Sequence, residues 1–92
     1  MHTEVPQRIG FECKKYMLNN VVDGFGFEIS LQEFQRDEQD WIKVHANASL
    51  GGAALWLTQH CADSVAIFPQ ELVDKVITNL NKGTQHYHDR EK

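Results

Sequence analysis

Between Ser49 and Leu80 the hydrophobic period changes twice with almost no linker, and this restricts the architecture more than any other stretch. Ser49 is placed to cap a helix, because its hydroxyl can accept a hydrogen bond from a backbone N–H that the first turn leaves unpaired. Leu50, Ala53, Ala54, Leu57 and Cys61 then fall on one helical stripe. Val65 and Ile67 alternate with Ser64 and Ala66, which predicts a short half-buried strand with the two larger residues inward. Pro69 suits the first turn of a further helix, where its missing N–H leaves no bond unmade. Leu72, Val73, Val76, Ile77 and Leu80 give that helix an apolar face, and Gly83 is placed to stop it in a left-handed conformation. The run reads as helix, strand, helix.

The first half of the chain supplies the partners. Ile9, Phe11 and Cys13 alternate with Arg8, Gly10 and Glu12, a first strand. Lys14 to Asp23 changes to a helical period through Met17, Leu18, Val21 and Val22, with Gly24 closing the helix and Phe25 packing back on it. Phe27, Ile29 and Leu31 alternate with Glu28, Ser30 and Gln32, a second strand. Gln35 to Asp40 is wholly polar or charged and reads as an exposed hairpin connection. Ile42, Val44, Ala46 and Ala48 then alternate with Trp41, Lys43, His45 and Asn47, a third strand running antiparallel to the second. This order predicts an α+β fold, a ferredoxin-like βαββαβ unit with an antiparallel four-stranded sheet and an added C-terminal helix. Residues 1–7 are expected to form an entry segment, 8–83 one domain, and 84–92 a frayed tail.

Right-handed crossovers place the first two helices on one face of such a sheet. Phe11, Ile29, Val44, Leu57 and Ile67 are therefore expected to share the core. The opposite face would carry Arg8, Gly10, Glu12, Trp41, Lys43, His45 and Asn47. An indole left to water on that face predicts a contact surface made of Arg8, Glu12, Trp41, Lys43, His45 and Asn47. Its cover could be the C-terminal helix, a second copy, or another domain. A homodimer is favoured, because Pro69 follows the fourth strand too closely for the helix to travel far.

The 92 residues suffice for one domain, and 41% hydrophobic with 24% charged residues is ordinary for a globular protein. A net charge of −4 argues against direct binding of nucleic acid by this chain. No apolar run approaches the roughly 20 residues of a membrane span, and Met1 to Pro6 lacks the regions of a signal peptide, so a cytoplasmic setting is expected. Cys13 and Cys61 are expected to be buried free thiols.

No catalytic, cofactor or metal constellation emerges, and an enzyme is not expected. Cys13 is followed by Lys14, Lys15 and Tyr16, without the second thiolate of a soft-metal carrier. The same stretch lacks the glycine and arginine of a phosphate cradle. His86, His88 and Asp89 are possible metal ligands, but they lie past Gly83, where a solvated tail is the better expectation. His60 and Cys61 point about 100° apart on a helix and cannot face each other. Gly51 and Gly52, just after Ser49, admit two readings: an exposed helix N-terminus that receives an anion or a partner's carboxylate, or close backbone approach to a strand. The second is favoured, since no basic side chain flanks them.

Ile9-Gly-Phe-Glu-Cys, Asn19-Asn-Val-Val-Asp-Gly-Phe-Gly, Trp56, Ile67-Phe-Pro-Gln-Glu-Leu and Leu80…Tyr87 stand in an order and spacing that carry a resemblance. Over about Gln7 to Tyr87 the chain resembles the C-terminal extension domain of WYL-domain bacterial transcriptional regulators. The resemblance implies upstream WYL and winged helix-turn-helix domains in a full-length protein. It also implies a role in dimerisation and in sensing or transmitting a regulatory ligand. The chain has Ala53, Ala54 and Leu55 where the family often has aromatics, and Cys61 and Ala62 where it often has glycine. The alternative reading is a stand-alone ferredoxin-like module that binds a small molecule.

Overall fold

A computed structural model describes residues 5–90 of the chain. The strands are β1 (Gln7–Lys14), β2 (Ser30–Arg36), β3 (Gln39–Ala48) and β4 (Ser64–Phe68), and the helices are α1 (Leu18–Phe25), α2 (Leu50–Gln59) and α3 (Gln70–Arg90). The sheet is antiparallel throughout, in the order β2-β3-β1-β4. With the three helices this is the expected ferredoxin-like arrangement plus a C-terminal helix. Among the described residues, no helix is long and apolar enough to cross a membrane.

Alternation in β1 and β3 works as expected. Ile9, Phe11 and Cys13 stand opposite Ala46, Val44 and Ile42, and all six are buried beneath the helices. A slip of one residue would turn the whole set to the other face, so burial itself holds the register. Gln7, expected in the entry segment, already pairs with Ala48, and residues 1–4 of that segment lie outside the described residues.

A 3-10 turn over Lys15–Met17 buries Met17 and leads into α1, which buries Val21. The helix ends at Gly26, not Gly24. Gly26 has φ +82°, and its N–H donates to the Val22 carbonyl at 2.8 Å. Gly24 serves packing instead: a Cβ there would lie 2.7 Å from the indole nitrogen of Trp56.

The second strand starts at Ser30, three residues later than the alternation from Phe27 suggests, because the first pair with β3 is Ser30 with His45. Phe27 is left 88% exposed, and Ile29 only packs against the edge of the core. The hairpin is correspondingly tighter than expected. Gln35 and Arg36 pair with Asp40 and Gln39, leaving Asp37 and Glu38 as a two-residue turn. Their φ values of 52° and 64° are both positive, as a type I′ hairpin turn requires. Polar composition was misleading here because an edge strand can be polar on both faces.

In α2 the Ser49 cap forms as expected, its Oγ accepting from the Gly52 N–H at 3.2 Å. Leu50, Ala53, Ala54 and Leu57 are buried, whereas Cys61 falls beyond the helix and is exposed. β4 is turned the other way from expectation. Cys13 pairs with Ser64 and Phe11 with Ala66, so the small residues face the helices while Val65 and Ile67 remain 44% and 45% exposed. Two causes combine. The Ser64 hydroxyl is satisfied inside by the His60 carbonyl at 2.8 Å, and Leu72 and Val76 of α3 join the core with Ala66 packed against it.

The Phe68–Pro69 peptide is cis, and Pro69 precedes α3 rather than lying in its first turn. Its carbonyl receives the N–H groups of Leu72 and Val73. The helix packs along α2 and β4, in the helical layer rather than over the open face. It does not stop at Gly83 but runs to Arg90, so residues 84–90 are helical where a frayed tail was expected over 84–92, with 91–92 outside the described residues. A glycine inside a helix costs only about 1 kcal/mol against alanine. The bond from Thr84 Oγ1 to the Leu80 carbonyl spans the position, and Gln85 donates to Asp89 one turn beyond it.

These placements separate two substitutions that the alternation alone would treat alike. Leu57→Ala should destabilise the protein by about 2–5 kcal/mol, and Ile67→Ala by no more than about 1 kcal/mol. Denaturant midpoints measured side by side check the difference.

Candidate interaction surfaces

Register brings the expected surface together. Arg8 lies opposite Asn47, Gly10 opposite His45, Glu12 opposite Lys43 and Lys14 opposite Trp41, so Arg8, Glu12, Trp41, Lys43, His45 and Asn47 share the open face. β2 adds Ser30, Gln32 and Phe34, paired with His45, Lys43 and Trp41. Arg36, two residues beyond Phe34, completes the row.

Trp41 is not the bare indole that the alternation implied. It is only 9% exposed. The Arg36 guanidinium lies 4.9 Å from its ring centroid, and the Phe34 ring lies 6.4 Å away. The same guanidinium donates to Glu12 Oε1 at 2.6 Å. One arginine therefore caps an indole by a cation–π contact and neutralises a nearly buried carboxylate. None of the three expected covers is needed for the ring. Sequence reasoning missed Arg36 because it stood in a presumed loop. Its i+2 spacing from Phe34 on an extended strand was the available signal.

At the other end of the face, Phe68 lies directly against Gly10, where any Cβ would collide with its ring. The His45 ring meets Phe68 edge-on at 5.3 Å. Between the two ends a hollow of about 280 Å³ is lined by Glu12, Gln32, Lys43, His45, Ile67 and Phe68.

The start of α2 is less open than one of its readings required. The Ser49 oxygen is already engaged by Gly52, and a Cβ on Gly52 would meet only that oxygen, at 3.0 Å. Gly52 thus gives the cap room to close and does not mark close approach to a strand. Gly51 lines a shallow groove shared with Asp74, Lys75 and Lys82 of α3.

On the helical side, Trp56 contacts Phe11 and Phe25 at centroid distances of 5.3 and 5.2 Å, and its ring lies tilted against His60 at 4.5 Å. His60 is thereby held by packing at the C-terminal end of α2. The Asp63 carboxyl is held below its ordinary range by the Tyr16 hydroxyl and by Lys14 at 3.3 Å, which ties the turn before β4 to the end of β1. His86 and His88 lie two residues apart on α3 and so point to different sides of it. Among the described residues, no three histidine, cysteine or acidic side chains cluster as metal ligands would.

Two apolar concavities were not foreseen. One, of about 620 Å³, lies between α1 and the inner side of β2, lined by Leu18, Val22, Phe27, Ile29 and Leu31 with Asn19 and Asp23. It exists because α1 is short and packs towards β3, leaving the edge strand uncovered. The other, of about 280 Å³, lies between α2, β4 and α3 and includes Leu57, Ala66, Val76 and Ile77.

Replacing Arg36 with alanine should leave Glu12 unpaired and destabilise the protein by about 1–3 kcal/mol. In a Trp56→Phe background the same change should shift Trp41 emission to the red. The thiols should behave as two classes. Burial pushes the Cys13 thiol up to about 12, whereas Cys61 is exposed. A disulfide reagent should therefore modify one thiol in the native protein and two after unfolding. An unfolded thiol ionises near 9 and the buried one near 12, so stability should fall as pH rises through this window.

No protein-family model matches the chain, and neither a search of curated proteins nor one of solved structures returns a match.

Proposed function

We propose that the chain is the C-terminal regulatory and oligomerisation domain of a WYL-type bacterial transcriptional regulator, with DNA contact left to another part of the polypeptide. The observation that supports this most is where the residues of the resemblance sit. Gly10 receives Phe68, Gly24 receives Trp56, and Trp56 meets Phe11 and Phe25. The Phe68–Pro69 step then turns β4 into α3. The shared spacing is thus the spacing of the contacts that set one element against another. A family defined by that spacing would build this same sheet and helical layer.

The open face suits a docking role in such a regulator. Lys43, His45 and Gln32 surround the hollow beside the Arg36–Trp41 stack, a mixed polar and aromatic surface of the kind found between domains of one chain. A second reading, a module that binds a small molecule, draws on the apolar concavity between α2, β4 and α3. Its volume of about 280 Å³ is near the lower end for ligand sites.

Titration with duplex DNA at low salt tests the first reading. The chain alone, with its net charge of −4, should show no sequence-selective binding. In a full-length regulator, Lys43→Glu should alter the response of a reporter while leaving operator affinity unchanged. Sequence-selective, sub-micromolar binding by this chain would overturn the assignment.

A further inference from the structure

α3 outruns the body it packs on. Its buried residues are Leu72 and Val76, Leu80 and Lys82 still line hollows beside α2, and from Gly83 to Arg90 every residue is exposed and lines none of them. At 1.5 Å per residue this free end is about 12 Å long. The radius of gyration is 14.2 Å, against about 12 Å for a compact domain of this length. A helix end with an internal glycine and no tertiary support is marginal in water, so a seat for it would stabilise it.

The free end carries one face suited to a seat. Thr84 and Tyr87 continue the face of Leu80 at i+4 and i+7, past the hollow that Leu80 lines, and the Thr84 hydroxyl is bonded back to the Leu80 carbonyl. Tyr87 is 74% exposed at the centre of this end, an aromatic of the type that anchors interfaces. Arg90 lies on the same end, with Asp89 engaged by Gln85.

The trough between α1 and β2 is the complementary feature. Leu18, Val22, Phe27, Ile29 and Leu31 make it apolar, and its volume of about 620 Å³ can take an aromatic side chain. Asp23 at its side and Glu28 beside it are acidic, and among the described residues neither belongs to an ion pair. The trough lies at the β2 edge, whereas α3 packs on α2 and β4 at the opposite edge. Three strand spacings, about 14 Å, separate the two.

We infer that the free end of α3 seats in the α1–β2 trough of a second copy of this chain, with Tyr87 as the apolar anchor and Arg90 beside the partner's acidic rim. Every copy carries both the helix end and the trough, so a two-fold axis makes the contact twice and closes the pair. The mode is a helix in a groove. Its biological meaning rests on the regulatory reading above, but the contact itself is read from the chain alone, whatever that chain regulates.

Sedimentation of the intact chain across the micromolar range tests it. The wild type should dimerise, and Tyr87→Ala and Phe27→Ala should each weaken the dimer by about tenfold or more. Both residues are largely exposed, so both variants should keep the wild-type circular dichroism. Asp23→Arg and Arg90→Asp should each weaken pairing, and their combination should restore it. A chain that stays monomeric at high micromolar concentration overturns the inference. So does a dimer that Tyr87→Ala and Phe27→Ala both leave intact, whether or not Lys43→Glu on the open face breaks it. DNA titration remains the separate measure of the regulatory reading.

Discussion

Phe11 is the side chain on which the other elements are set. It is fully buried on the central strand β1, opposite Val44, with the rings of Phe25 and Trp56 tilted against it at 5.2 and 5.3 Å. These contacts join the sheet, the end of α1 and the middle of α2 at one point. Aromatic pairs of this geometry add about 0.5–1.5 kcal/mol beyond the area they bury. α1 depends on them especially. A helix of 8 residues does not hold in water on its own propensity, and this one contains two asparagines, two valines and a glycine. Packing against Phe11 and Trp56 supplies what its local sequence lacks.

The two faces of the sheet solve the problem of water differently. The inner face excludes it with helices, and small residues at Ala46, Ala53, Ala54 and Ala66 let the layers approach. The outer face has no such layer and relies on side chains lying flat. Arg36 extends over Trp41 and binds Glu12, while Phe68 closes over Gly10. The result is a surface with a small hollow at its centre and Lys43 and His45 at its margin. Docking to such a surface would not have to rescue a stranded indole.

The helical layer is unequal across the sheet. α1 is too short to cover β2, and α3 is longer than α2 and β4 can support. A bare trough therefore remains at one edge and a bare helix end at the other. Each is an apolar feature beside charge of opposite sign. This asymmetry makes a contact between copies geometrically open where an internal contact is not.

Strand alternation in β1 and β3 was decisive in the sequence. It determined the inner and outer sets, the antiparallel pairing, and with the helical stripe of α2 the ferredoxin-like order, because a period of two admits only one assignment once one face is apolar. The six residues of the open surface and the Ser49 cap were legible for the same local reason. Tertiary structure decided the rest. The packing role of Gly24 depends on Trp56, which is more than thirty residues away in sequence, while Gly26 ends α1. Which side of β4 turns inward depends on α3, because Leu72 and Val76 enter the core beside Ala66, and Ser64 has a carbonyl waiting for its hydroxyl. The cover of Trp41 depends on hairpin register, since only a two-residue turn carries Arg36 into the row beside it. The two apolar concavities depend on helix lengths relative to the sheet, a mismatch between distant segments that no local pattern records.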